Sequence, residues 1–189
     1  MNIGLFFGSF NPFHIGHKAI ASYIAEYTSL EQVWFVVSPQ NPLKSKSSLL
    51  DQYHRLQIIR AEIDDVDNLI ASDIEFSLPQ PSYTIDTLAY LKEKFLENQF
   101  SLIMGADNIN SIHRWKNYLQ IINHHQIIVY PRPNITYTPI YKNVTFLKDA
   151  PIIDVSSSFI RKSIKNKKAV SFLIPEKAWS YIDEMNFYK

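Results

Sequence analysis

The chain has 189 residues, and its 46% of hydrophobic residues suffice for the core of one well-buried domain. Its 19 basic and 18 acidic residues leave a formal charge of +1. Proteins that bind duplex nucleic acid usually carry a large excess of basic residues, so we expect no nucleic-acid partner. The absence of cysteine excludes disulfides, thiolate zinc sites and cysteine nucleophiles.

The N-terminal residues show no export or anchoring signal. A predicted strand begins at once, no basic segment precedes it, and no apolar run approaches the roughly 20 residues of a membrane span. We therefore expect a soluble, cytoplasmic protein without a membrane partner. The sequence leaves the oligomeric state open, with a homo-oligomer as one option.

The decapeptide GSFNPFHIGH, residues 8–17, directly follows the first apolar run at residues 3–7. That short run predicts a strand covered on both faces, and the periodic residues 15–27 predict a helix. His14 and His17 are therefore expected where a strand is followed by a helix. Ligands bind at that edge of a parallel sheet, and a helix N-terminus attracts anions, so the two imidazoles are candidate donors to phosphate oxygens.

Strands and helices alternate along the rest of the chain. Further strands are predicted at residues 32–38, 100–104, 126–130 and 144–147, and further helices at 49–63, from 82 or 84 to about 96, 112–122, 159–165 and 175–186. Expected N-caps are Ser48 or Asp51, Ser82 or Thr84, and the serines at 156–158. Residues 69–71 and 74–76 are predicted as one kinked strand or two short ones, and residues 152–155 as a possible extension of the sheet edge. This alternation predicts an α/β fold with a mostly parallel sheet in a single domain, residues 1–189.

Several familiar nucleotide and hydrolase motifs are absent. With only four glycines and no Gly-Lys pair, neither the Walker phosphate loop nor the G-x-G-x-x-G fingerprint can be written. The chain also lacks H-E-x-x-H and G-x-S-x-G. A nucleotide, if bound, must be held in another way.

The decapeptide resembles the G-[ST]-F-[DN]-P-x-H-x-G-H signature of the nucleotidyltransferase superfamily. A second superfamily element, I-S-x-x-x-I-R, is similar to residues 155–161, VSSSFIR, in which Val155 replaces isoleucine. Both motifs stand in the expected order near the two ends of the chain. The resemblance implies a Rossmann-like, doubly wound sheet flanked by helices, with the helical part from about 156 to 189 packed on it.

The middle of the chain is similar to the bacterial nicotinate-nucleotide adenylyltransferases. The similarity rests on PLK at residues 42–44, SYTIDTL at 82–88, GAD at 105–107, the Trp115 segment, and Arg132-Pro133. It implies transfer of AMP from ATP to nicotinate mononucleotide, with release of pyrophosphate. A phosphate attacks in line without a general base or a covalent intermediate, so the protein must mainly position two anions and stabilise charge. Mg²⁺ is implied as a cofactor bound mainly through the ATP phosphates, with no dedicated protein metal site.

The resemblance also implies a set of site residues. The catalytic candidates are His14, His17, Lys44 and Arg161. The ATP-binding candidates are Gly8, Ser9, Phe10, Gly16, Gly105, Asp107, Arg132, Ser156, Ser157 and Ser158. The substrate-binding candidates are Asn11, Tyr83, Thr84, Trp115 and Lys116. In this scheme Gly16 leaves room for the nucleotide, Trp115 stacks on the nicotinate ring, and Thr84 lies near its carboxylate.

Two alternatives remain open from the sequence. One is a different acceptor within the superfamily, either the amide mononucleotide or phosphopantetheine, although the phosphopantetheine enzyme usually has threonine where His14 stands. The other is a nucleotide-binding module without catalysis. The preference for acid over amide, the role of residues 134–143, and the effect of Asn11 in place of the commoner aspartate are not determined by the sequence.

Overall fold

The computed structural model describes residues 1–40, 49–137 and 141–189, and these form an all-parallel sheet of six strands. The strands are β1 (Asn2–Gly8), β2 (Gln32–Val37), β3 (Leu69–Ser72), β4 (Gln99–Gly105), β5 (Gln126–Tyr130) and β6 (Val144–Phe146). Their order across the sheet is β3-β2-β1-β4-β5-β6, and every neighbouring pair is parallel. The predicted α/β, doubly wound parallel sheet is confirmed.

Helices cover both faces of this sheet. They are α1 (Ile15–Tyr27), α2 (Gln52–Ile63), α3 (Thr84–Lys94), α4 (Ala106–Asn110), α5 (Tyr118–His124), α6 (Ser157–Lys165) and α7 (Glu176–Glu184). Short 3₁₀ turns occur at Ile74–Ser77, Ile112–Arg114 and Ser171–Leu173. Within the described ranges, no helix combines the length and the apolar character needed to cross a bilayer.

The core has two layers because successive strand residues point to opposite faces. In β2, Val33, Phe35 and Val37 join the layer formed with α1, α2, α6 and α7. Val36 joins the other layer, formed with α3, α4 and α5. Burial on both faces explains why the strands read as continuous apolar runs rather than as alternating patterns.

The strand order reverses direction between the neighbouring strands β1 and β4. The chain passes from β1 outward to β2 and β3, then returns to β4 on the other side of β1. The loops that leave the carboxyl ends of β1 and β4 therefore diverge to opposite faces. A crevice at such a switch point is the usual ligand site of an open parallel sheet.

The segment at residues 74–76 is not a strand as predicted, but the 3₁₀ turn Ile74–Ser77. Its residue Glu75 is 2% exposed and accepts hydrogen bonds from the hydroxyls of Ser82 (2.9 Å) and Thr87 (2.7 Å). Ser82 donates to this carboxylate and stands one residue before the N-cap position, so it does not cap α3. That helix begins at Thr84, and its N-cap position is Tyr83 with no side-chain cap, so both predicted caps were wrong.

Three other predictions differ from the structure in the kind of element or in its first turn. The helix predicted over 112–122 is divided into a 3₁₀ turn and α5, and Asn117 between them has the left-handed φ of 52°. Residues 152–155 form no strand, since the sheet ends at β6 and Val155 is buried in the core instead. Helix α2 begins at Gln52 with Asp51 as its cap, which accepts from the Tyr53 N–H (2.9 Å), whereas Ser48 lies outside the described residues.

Candidate functional site

A pocket of about 620 Å³ opens at the carboxyl ends of β1 and β4. It brings together residues from both ends of the chain, because the turn after β1 contacts the start of α6. The predicted site residues that line it are Gly8, Ser9, Phe10, Asn11, His14, His17, Asp107, Trp115, Arg132, Ser156, Ser157, Ser158 and Arg161. Gln40, Leu49, Asn108 and Tyr130 also line it, and the sequence had not indicated them.

Five predicted residues within the described ranges do not line this pocket, namely Gly16, Gly105, Tyr83, Thr84 and Lys116. Lys116 forms an ion pair with Asp86 (Nζ to Oδ2, 2.8 Å), and its ammonium lies 4.8 Å from the centre of the Tyr83 ring. Tyr83 and Thr84 are at the N-terminus of α3. Lys44 falls outside the described residues, so its predicted role is not addressed by the structure.

The two histidines are linked through the first turn of α1. His14 is the N-cap residue, and its carbonyl accepts from the His17 N–H (3.0 Å). In return, the His14 N–H donates to Nδ1 of His17 (3.3 Å). Because Nδ1 of His17 accepts this hydrogen bond, the proton of a neutral His17 ring must lie on Nε2. The tautomer of His17 is therefore set by the helix backbone.

The His14 ring is buried against the His17 ring. It is 4% exposed, and the two ring centres are 3.6 Å apart in a stacked arrangement. Burial, and secondly the charge of Arg132, lower the pKa of His14 from 6.5 to about 4. At neutral pH this imidazole is therefore uncharged. Its Nδ1 has no hydrogen-bond partner among the described residues, an arrangement that costs on the order of 1–3 kcal/mol.

Phe10 fixes the shape of the turn through packing. It adopts a positive φ of 44°, unusual for a residue with a side chain, and it is only 2% exposed. Its ring contacts His17 edge-on at 5.0 Å between centres. A Cβ at Gly8 would lie 2.8 Å from the Phe10 ring, so only glycine permits this packing. The structure thus gives these two predicted ATP-binding residues a role in holding the turn.

The serine-rich motif at the start of α6 is attached directly to the histidine turn. Arg161 donates from Nη1 to the Asn11 carbonyl (2.6 Å), and Ser157 donates to the Pro12 carbonyl (2.9 Å). Ser156 caps α6 by accepting from the Phe159 N–H (3.2 Å). The two sequence motifs therefore form one continuous wall of the pocket.

Gly16 allows α1 to approach the second motif closely. A Cβ at this position would lie 2.9 Å from Cγ1 of Val155 and 3.2 Å from Nδ1 of His14. The space above Gly16 is therefore occupied by protein atoms. The glycine is required for contact between the two motifs, which differs from the nucleotide contact expected from the sequence.

Asp107 and Arg132 form the opposite wall, at the ends of β4 and β5. Nε of Arg132 lies 3.6 Å from Oδ1 of Asp107. A Cβ at Gly105 would overlap this carboxylate oxygen and lie 3.0 Å from Cγ of Arg132, so a side chain there would displace the pair. Trp115, half-buried after the 3₁₀ turn, completes the wall. Burial raises the pKa of the nearby Tyr130 to about 12, so its hydroxyl stays neutral.

Asn11 has a structural role that the sequence did not reveal. Its Oδ1 accepts from the Leu50 N–H (3.2 Å) and from the Tyr188 hydroxyl (2.8 Å), and the residue is 4% exposed. The side-chain oxygen of this predicted substrate-binding residue is therefore engaged by two protein donors.

Two residues that support the site were missed by the sequence analysis. Arg55 is fully buried on α2, and Tyr188 lies beneath the histidine turn. The sequence did contain a signal for Arg55, because this charged residue stands four positions before Ile59 and so shares the apolar face of the helix. A charged residue on such a face is usually buried with its polar atoms hydrogen-bonded. No comparable sequence signal pointed to Tyr188.

Comparison with known proteins assigns the family. The model of the family described as cytidylyltransferase-like matches residues 5–163. A protein of Flavobacterium psychrophilum named "Probable nicotinate-nucleotide adenylyltransferase" is 54% identical over 192 residues and covers 100% of both chains. A protein of the same name from Christiangramia forsetii is 53% identical over 190 residues, 99% of this chain and 98% of its own.

Solved structures support the same fold. The Plasmodium falciparum nicotinic acid mononucleotide adenylyltransferase complexed with NaAD aligns with a TM-score of 0.82 over 99% of this chain and 97% of its own, at 21% identity. The same enzyme complexed with APC gives a TM-score of 0.81 over 99% and 96%, at 20% identity. From the family model and the full-length relatives together, the chain belongs to the cytidylyltransferase-like family and, within it, to the nicotinate-nucleotide adenylyltransferases.

Proposed function

We propose that the chain transfers AMP from ATP to nicotinate mononucleotide in the cytoplasm, forming nicotinate adenine dinucleotide and pyrophosphate. The observation that carries this proposal is the 54% identity, over the full length of both chains, to a relative that bears this enzyme name. The pocket supports it, because both motifs of the family meet there at the switch point of the sheet.

In the proposed reaction a phosphate oxygen of the mononucleotide forms a bond to the α-phosphorus of ATP. The bond from that phosphorus to the bridging oxygen breaks on the opposite side, and the electron pair leaves with pyrophosphate. An ionised phosphate is nucleophilic at neutral pH, so no side chain needs to remove a proton. The protein then contributes by positioning the two anions and by stabilising negative charge in the transition state.

The histidines act as hydrogen-bond donors in this scheme. His14 is uncharged at neutral pH because of its lowered pKa, and the backbone bond to Nδ1 of His17 leaves that ring's proton on Nε2. A neutral imidazole such as that of His14 can donate to a phosphate oxygen without trapping the product as strongly as a fixed cation would. The positive charge is supplied by Arg132 and Arg161, which lie on opposite sides of the pocket. Lys44 is proposed as a third cation on the basis of the family resemblance.

The N-terminus of α6 is proposed to contact the departing phosphates. Ser156, Ser157 and Ser158 line the pocket there, and the unpaired N–H groups of a helix N-terminus favour anions. Their hydroxyls already bind protein groups, so we expect ligand contact mainly from the backbone.

Mg²⁺ fits this site as a companion of the triphosphate. Asp107 is the one carboxylate among the described lining residues, and Arg132 lies beside it. Such a donor set suits a metal held mostly by phosphate oxygens and water. When bound, the metal would neutralise charge on the β- and γ-phosphates.

The nicotinate mononucleotide is proposed to occupy the side of the pocket formed by Trp115 and Asp107. A half-buried indole offers a flat surface for a pyridine ring. Tyr83, Thr84 and Lys116 are proposed as outer contacts, reached when substrate is bound.

The test is an acceptor panel with ATP and Mg²⁺, in which pyrophosphate release is measured. Nicotinate mononucleotide should give the highest kcat/KM, above its amide and above phosphopantetheine. If the amide or phosphopantetheine is preferred, the assigned substrate is wrong. If ATP binds but no acceptor releases pyrophosphate, the chain is a binding module instead.

A further inference from the structure

The turn at residues 9–12 is held from behind by two side chains outside both sequence motifs. Nη1 of Arg55 donates to the carbonyl of Ser9 (2.6 Å). The hydroxyl of Tyr188 donates to Oδ1 of Asn11 (2.8 Å). Neither Arg55 nor Tyr188 is among the described residues that line the pocket, so both contact the turn from the side that faces the protein interior.

Arg55 connects the ends of two strands. It is 0% exposed, and besides Ser9 it donates to the carbonyls of Ser38 (2.9 Å), Pro39 (3.2 Å) and Leu50 (2.8 Å). The first two follow β2, and the third precedes α2. Burial lowers the pKa of Arg55 to about 10, which leaves the guanidinium protonated at neutral pH. A buried positive charge therefore lies under the edge of the sheet where the pocket opens.

Tyr188 completes the same network. The Oδ1 atom that accepts its hydroxyl also accepts the N–H of Leu50, whose carbonyl accepts from Arg55. Burial raises the pKa of Tyr188, so the phenol keeps its proton and remains a donor. Asn11 and Leu50 thus join the two side chains into one hydrogen-bonded unit.

We propose that Arg55 and Tyr188 are positioning residues that hold the phosphate-binding turn, through Ser9 and Asn11, in the conformation that accepts ATP. This inference rests on the proposed function of the pocket. A carbonyl oxygen that turned into the pocket would repel a phosphate. Because Arg55 holds the Ser9 carbonyl and Arg161 holds the Asn11 carbonyl, those two oxygens point to protein donors.

The experiment compares two variants with two matched controls. Arg55→Lys keeps the charge but cannot reach four carbonyls with the geometry of a guanidinium. Its control is Leu56→Ala, which damages the core beside Arg55 and removes no donor to the turn. Tyr188→Phe removes one hydroxyl, and its control Tyr181→Phe removes a hydroxyl that lies 3.0 Å from Nδ1 of His54 instead.

The measurements are kcat and KM with ATP and nicotinate mononucleotide, ATP affinity by calorimetry, and the folded fraction by urea unfolding. We expect Arg55→Lys to lower kcat/KM about 100-fold, since small displacements of reacting groups have effects of this size. Tyr188→Phe should lower it about fivefold to tenfold. Both should weaken ATP binding, while the two controls stay within about threefold of the unmodified chain at equal folded fraction.

The proposal is overturned if Arg55→Lys loses activity only in proportion to its folded fraction, as Leu56→Ala should. It is also overturned if Tyr188→Phe and Tyr181→Phe behave alike, and this second pair decides the matter if Arg55→Lys does not fold. Should the unmodified chain release no pyrophosphate, the proposed function fails, but ATP affinities still test the positioning. Weaker ATP binding in Tyr188→Phe than in Tyr181→Phe would support it, and equal binding would refute it.

Discussion

The buried His14 imidazole makes a sharp prediction about stability and pH. Its pKa is lowered from 6.5 to about 4 in the folded protein, whereas the unfolded chain titrates near the ordinary value. Between these values the unfolded chain binds the extra proton, so acid favours unfolding. The contribution of His14 to stability is thus fully present above pH 6.5 and is lost as the pH falls towards 4.

The size of this effect follows from the two pKa values. A fall from 6.5 to about 4, at about 1.4 kcal/mol per pKa unit, corresponds to about 3 kcal/mol of unfolding free energy. Because the ring is only 4% exposed, solvent screening should reduce this figure little. The loss would be a large fraction of the 5–15 kcal/mol that typically stabilises a domain.

The assay is urea unfolding between pH 4 and pH 7 for the unmodified chain and for His14→Gln. Glutamine is similar in size and does not titrate, while every other group is common to both proteins. The unfolding free energy of the unmodified chain, minus that of His14→Gln, should therefore fall by about 3 kcal/mol as the pH falls from 7 to 4. A difference that stays flat over this range, or that grows in acid, would refute the burial argument.

Three further predictions concern single residues of the pocket. Asn11→Asp should stay within about threefold of full activity, because an acid oxygen can still accept from Leu50 and Tyr188, whereas Asn11→Ala should lose about 2 kcal/mol of unfolding free energy in urea titrations. Gly105→Ala should reduce kcat/KM at least about tenfold in the pyrophosphate assay, because its Cβ would displace the Asp107 carboxylate, and unchanged kinetics would contradict this. Trp115→Ala should raise the KM for nicotinate mononucleotide at least about tenfold through lost stacking, and an equal rise in the KM for ATP would argue against the assigned ring site.

Local sequence patterns predicted those helices and strands whose ends are defined by neighbouring residues in the sequence. Helix α1 and strand β5 have the predicted bounds, since an apolar period and flanking breakers define both. Residues 74–76 were predicted as part of a strand but form a 3₁₀ turn. The deciding fact is a tertiary one, namely that hydroxyls 7 and 12 residues away satisfy the buried Glu75 carboxylate.

The pocket was predicted through motif resemblance, but its supports were not. Most of the residues expected in the site line one pocket, whereas Tyr83 and Lys116 contact each other outside it. Arg55 binds a carbonyl 46 residues away, and Tyr188 binds a side chain 177 residues away. Contacts over such distances leave no periodic signal, because they depend on how the whole sheet folds.

The bond between Tyr188 and Asn11 has a consequence for the order of synthesis. Asn11 is synthesised well before the donor that fixes its side chain, which is made 177 residues later. A nascent chain can therefore form β1 and α1 early while the turn between them still lacks one of its anchors. On this reasoning a growing chain would bind ATP more weakly until residue 188 has docked.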